Sequence, residues 1–285
     1  MFAALPGVAF APAVLALAQV WSEVDYYSHG FLVPVVALLA ASSIQRARRR
    51  LPRVRDGRGA WAVAAALLVY AAALAAGSAA GQGLALVLAI AGTVWFLRGA
   101  AWLRALAFPI SFLLFMVPIP PTWLAPLIVG LLGFVTATSV RLLQILGVPV
   151  AREGNVILLP GDLTLFVAEA CSGLTALVTL TPIAVLIAWL SPLSLGARIV
   201  LVASVVPIAM GANLLRVVGT VIGARWWSLD AVTGEPAHTL FGLGVYAVAA
   251  VALLAVSRVL GRIAAFVPPA APRLPAGAVV VSTSA

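Results

Sequence analysis

Eight apolar segments recur along the chain, at about 3–20, 30–45, 60–76, 82–97, 105–121, 172–190, 199–220 and 239–257. Each approaches the length of a membrane crossing. The hydrocarbon core holds no water to satisfy backbone N–H and C=O groups, so a crossing segment must be a helix of about 20 apolar residues or part of a closed barrel. A series of such segments leaves few alternatives to an all-α polytopic membrane protein with about eight transmembrane helices. Only 9% of the residues are charged, against about 25% in a soluble domain, and no water-soluble core could hide this much apolar surface.

The net charge of +9 invites a nucleic-acid reading, but position argues against it. Seven of the seventeen basic residues lie in the short stretch 46–58, as the positive-inside rule predicts for a cytoplasmic loop. Attraction to membrane lipid with anionic headgroups is a second effect of the same charge. With the N-terminus inside, basic and non-basic links alternate as eight crossings require. The inside links then hold thirteen Arg and one acid, Asp56. The outside links and outer helix ends hold Arg141, Arg152, Arg216 and Arg225 with seven acids. The reading is therefore a multi-pass protein of the bacterial inner (cytoplasmic) membrane with both termini cytoplasmic. The eight Trp residues fall near proposed span ends, as interfacial belts do. Every basic residue is Arg. A phosphate-binding loop of the Walker type and Schiff-base chemistry both need Lys, so both are excluded. A single cysteine excludes an internal disulfide.

Residues 123–150 resist the scheme. They are apolar enough for a further span, but that would move every later link across the membrane. Helices in the outer interface, or a re-entrant pair, fit the charges better; a ninth span is the alternative. Next, residues 155–159 and 163–167 read as two short strands about Pro160-Gly161-Asp162, a small extracytoplasmic hairpin between helices five and six. The apolar N-terminus lacks a basic leader region and reads as a retained first helix. Residues 1–267 form the membrane domain, and 268–285, rich in Pro and Ala, a disordered tail.

This topology brings three unusual polar groups to one depth. Cys171 lies where the hairpin meets span six, Arg216 near the outer end of span seven, and His238 at the outer start of span eight. Each has an ordinary explanation: a buried small hydrophobe, a snorkelling cation, an interfacial hydrogen bonder. Together they compose a thiol acyl-transfer set without a metal or other cofactor. Cys171 precedes Ser172 and Gly173 at a helix N-terminus, whose positive dipole end favours thiolate. Arg216 can stabilise thiolate or oxyanion, and His238 can serve as general acid and base. Asn213, three residues before Arg216 on the same face, can orient it. One Cys and two His make no structural zinc site.

These residues sit in stretches that resemble the exosortase/archaeosortase family. They are Val167-Ala-Glu-Ala-Cys171-Ser-Gly-Leu174, Asn213-Leu-Leu-Arg216, and Glu235-Pro-Ala-His238 leading to Gly242. Tyr27-Ser-His-Gly30, Phe112-Leu-Leu-Phe-Met-Val-Pro-Ile-Pro120, and Leu146-Gly-Val-Pro149 through Arg152-Glu-Gly-Asn155 are similar too. The resemblance implies an eight-helix membrane cysteine protease and transpeptidase, with Cys171, Arg216 and His238 as its catalytic residues. It also implies exported protein substrates that carry a C-terminal sorting signal of the PEP-CTERM type: a short motif, a transmembrane helix and an Arg cluster. Such an enzyme cuts at the outer face and transfers the new C-terminus to an acceptor. Many relatives carry Arg after the Cys-Ser-Gly-Leu run, where this chain has Thr175. The other histidine, His29, reads as structural or substrate-binding rather than directly catalytic.

Two rivals belong to other classes. A transporter could use Asn213, Arg216 and His238 as a polar pathway, but acids are absent from the spans and the polar groups cluster at one face. A non-catalytic scaffold for exopolysaccharide export would keep the fold without the chemistry. Both tolerate loss of the Cys171 thiol; a thiol enzyme does not.

Overall fold

The fold was obtained as a computed structural model. It describes residues 9–160, 163–167, 173–227, 231–232, 234 and 237–266, excepting the side chains of 225, 237, 238 and 264–266. The predicted tail 268–285, the catalytic candidate Cys171 and the supporting candidate Ser172 lie outside the described residues.

The chain is a helical membrane protein with one small sheet. α1 spans Ala11–Glu23, and a 3₁₀ segment, Asp25–Phe31, leads into α2, Leu32–Ala47. α3, Arg58–Ala75, and α4, Ala79–Arg98, form an antiparallel hairpin. Short helices α5 (Ala100–Ala105) and α6 (Ala107–Phe112) and a 3₁₀ turn, Leu113–Met116, precede α7, Pro121–Ile145. After the strands come α8 (Leu174–Leu190), α9 (Leu195–Ala203), α10 (Val205–Trp226) and α11 (Ala237–Phe266).

Among the described residues, six helical stretches are long and apolar enough to cross a membrane: 25–47, 58–75, 79–98, 121–145, 195–224 and 239–263. Five coincide with predicted spans. Of the other three predicted spans, 3–20 and 172–190 give helices of 13 and 17 residues, the first counted over Ala11–Glu23. The third, 105–121, gives the 10-residue stretch Ala107–Met116, beyond which Pro118 and Pro120 lie in irregular chain. The outward surface is apolar, with Leu68 74% and Leu195 75% exposed; such a surface suits lipid rather than water.

Between α3 and α4 the contact is made by small residues. A Cβ on Gly59 would lie 2.2 Å from the Phe96 backbone nitrogen, and one on Gly92 2.9 Å from that of Val63. Backbones approach this closely in membranes because lipid supplies no hydrophobic drive, and packing depends on contact area.

The segment 123–150 corrects one expectation. It is not a re-entrant pair but a single 25-residue helix, α7, which continues past Pro126 although that residue has no N–H to bond the Thr122 carbonyl. Its buried residues Leu132, Val135, Val140 and Leu143 share one apolar cluster with Ile157 of the sheet and Val217 and Val221 of α10.

The sheet has three strands in the order β1 (Ala151–Glu153), β2 (Val156–Leu158) and β3 (Thr164–Phe166), all antiparallel. β2 pairs with β3 through Val156 with Phe166, Ile157 with Leu165 and Leu158 with Thr164. The sequence reading missed β1, because Ala-Arg-Glu has neither alternation nor strand propensity. The signal available was Gly154-Asn155, a two-residue hairpin loop whose glycine takes φ +59°.

Candidate active site

Three helices meet at a narrow cleft whose cavity is about 10 Å³, room for about one water molecule. Gly173 and Ala176 border it from the start of α8, Ala212, Asn213 and Arg216 from α10, and Gly242, Val245 and Tyr246 from α11. Leu180, Ala184, Ala209, Ala249 and Leu253 pack the same three helices together beneath it. The cleft is therefore mounted on a rigid base of apolar helix contacts.

Gly173 caps α8 with φ +88°, in the left-handed region that favours glycine. The chain turns there from the sheet side of the molecule into the helix. Cys171 and Ser172 immediately precede this turn and lie outside the described residues.

Asn213 is 5% exposed, and Arg216 is half-buried one turn further along α10. Among the described cleft-lining residues, Arg216 alone carries a formal charge. Its guanidinium runs close to α11: a Cβ on Gly242 would lie 3.7 Å from Nη2 and 3.8 Å from Cζ. A methyl at Gly242 would make only ordinary van der Waals contact with the guanidinium. His238 is the second residue of α11, one turn before Gly242. Tyr246, one turn after Gly242, also lines the cleft. The sequence reading passed over it because a lone tyrosine in an apolar helix has no distinguishing mark; its spacing of eight from His238 was the only clue.

His29 is not among the residues lining this cleft. Its Nε2 lies 3.1 Å from the Phe115 carbonyl oxygen. Around it, the two early family-like stretches clasp each other. The Ile119 N–H donates to Tyr27 Oη at 2.7 Å, and Trp21 Nε1 donates to the Met116 carbonyl at 2.9 Å. Gly30 lies beneath the Trp21 indole, where a Cβ would come within 2.4 Å of Nε1. The clasp carries the 3₁₀ segment that packs against α8, and Tyr27 and Leu174 share one apolar cluster. The family-like stretches thus serve two places: the cleft, and the scaffold that seats the start of α8.

A polytopic helical membrane protein with an Arg-bearing cleft at the meeting of three helices is the class these features define. The family model for transmembrane exosortases matches residues 21–255, most of the chain. The chain belongs to the transmembrane exosortase family. No curated protein and no solved structure matches it.

Proposed function

We propose that this exosortase is a cysteine-dependent membrane peptidase and transpeptidase. It cleaves C-terminal sorting signals of the PEP-CTERM type from exported proteins and passes the new C-terminus to an acceptor. One observation carries the reading: the Gly173 cap of α8, two residues after Cys171, the Asn213–Arg216 face of α10, and α11 one turn after His238 converge on a single cleft.

In the proposed cycle, the Cys171 thiolate attacks the scissile carbonyl carbon. The electron pair moves to the carbonyl oxygen, which Arg216 stabilises. As the C–N bond breaks, His238 protonates the leaving amine, and a thioester remains. The acceptor then attacks the thioester carbonyl, giving its proton to His238; the C–S bond breaks and Cys171 leaves as thiolate, which restores the starting state. A substrate anchored by its own transmembrane helix is confined to the bilayer, which raises its effective concentration at the cleft.

The packing around α7 bears on the topology, because it argues against α7 as a ninth crossing. A Cβ at Gly133, midway along α7, would lie 3.7 Å from Nη2 of Arg152 on β1. Were α7 upright across the bilayer, that arginine would lie near the midplane, at a cost of about 3 kcal/mol or more. A helix lying along the interface avoids the cost and keeps the thirteen inside arginines on one side.

The test is processing of a substrate bearing such a signal in cells with Cys171→Ala, Arg216→Ala or His238→Ala, at matched membrane abundance. Loss of C-terminal trimming in all three is expected. Normal processing by Cys171→Ala overturns the reading.

A further inference from the structure

Away from the cleft, an apolar groove of about 420 Å³ runs along α2. Pro34, Ala37, Leu38, Ala41 and Gln45 form one wall, and Leu86, Ile90 and Val94 of α4 the opposite one; α1 and α6 supply the floor. From Pro34 to Gln45 the wall rises about 16 Å at 1.5 Å per residue, roughly one leaflet of the ~30 Å hydrocarbon core. Gln45 aside, the groove's lining is apolar over that length, which suits a hydrocarbon chain.

Both walls continue into arginines. The spacing 34, 37, 38, 41, 45 on α2 leads next to Arg48, the residue that caps the helix and whose backbone N–H still bonds the Ile44 carbonyl, and Arg49 follows in the turn. Arg46, Arg48, Arg49 and Arg50 line a second cavity immediately past Gln45. On α4, the spacing 86, 90, 94 leads to Arg98, whose guanidinium lies 5.2 Å from the Trp102 ring centroid. Among the described residues no carboxylate pairs with Arg48, Arg49 or Arg98. Asp56, the one acid in this loop, is occupied by the Arg58 N–H and the Trp95 indole.

We infer that this groove binds an anionic phospholipid, with an acyl chain between α2 and α4 and its phosphate in the arginines at their basic ends. Charge complementarity selects the occupant. A substrate helix ending in an Arg cluster would bring like charge to the same mouth, whereas a phosphate diester offers the planar fork of Arg a bidentate partner. The site needs only that these helices lie in a bilayer and is independent of the peptidase reading.

The test is native mass spectrometry of the full-length protein in detergent, titrated with phosphatidylglycerol or phosphatidylcholine of identical acyl chains. Wild type is expected to retain phosphatidylglycerol preferentially. The triple variant Arg48→Gln/Arg49→Gln/Arg98→Gln should lose that preference, on the order of 100-fold at about fivefold per arginine. Ala41→Phe, which fills the groove and leaves the arginines, should release bound lipid of either headgroup; Leu38→Phe provides a second groove-filling variant if the first fails to fold. Equal retention of the two lipids by wild type, or undiminished phosphatidylglycerol in both groove-filled variants, overturns the proposal. So does retention of a transmembrane peptide with a basic tail in place of phosphatidylglycerol.

Discussion

In the proposed cycle Arg216 acts through its planar fork as well as its charge. Its guanidinium is flat, lies against α11 at Gly242, and is backed by buried Asn213. Lys would keep the charge but not the fork. Arg216→Lys is expected to slow processing nearly as much as Arg216→Ala, on the order of 100-fold or more, the typical loss when one oxyanion donor is removed. The check is single-turnover processing in proteoliposomes. Gly30→Ala acts through a different cause. The new methyl displaces the Trp21 indole and breaks its bond to the Met116 carbonyl, so stability should fall by about 1–3 kcal/mol, read by thermal unfolding in detergent. Asp56 supplies a pH-dependent element in the arginine-rich loop. The Arg58 backbone N–H first, then the Trp95 indole N–H, hold its carboxyl below the usual carboxylate range. A lowered folded pKa means its stabilising contribution is present above the unfolded value of about 3.9 and is lost as pH falls through the folded one. Asp56→Asn should therefore be less stable than wild type at neutral pH and indistinguishable from it in strong acid, measured by unfolding across pH.

At the scale of elements, the α3–α4 hairpin and α7 obey different rules. The hairpin depends on glycine contacts, so Gly92→Leu is expected to force the helices apart and lower the amount of folded protein. Gly130→Ala on α7 is the matched control. A Cβ there meets nothing within 4 Å, and no loss of folded protein should follow in the same expression and unfolding assays. The residues of the hairpin announce a tight helix pair, because Gly and Ala recur along both helices. The residues of α7 do not announce its role. Apolar composition says only that a helix can lie in lipid; whether it crosses or runs along the interface depends on its partners, here a three-stranded sheet carrying Arg152.

Across the whole molecule, orientation can be read from a single atom type. Cys171 is the only cysteine, so a membrane-impermeant maleimide applied to intact spheroplasts reports its side directly. Labelling of wild type without permeabilisation is expected, and labelling only after permeabilisation reverses the proposed topology. The membrane class, the helical fold and the concentration of arginine in particular links were all legible in the sequence. Hydropathy and charge act on each segment separately, and need no knowledge of its neighbours. The candidate residues Asn213, Arg216 and Gly173 were legible too, since polar groups are rare in such a chain. Their meeting in one cleft with Gly242 and Tyr246, the clasp of Tyr27 and His29 on residues 115–119, and the groove leading to Arg48 and Arg98 were decided by tertiary structure alone. Those features join residues tens to more than a hundred positions apart, and only the packing of helices brings such residues into contact.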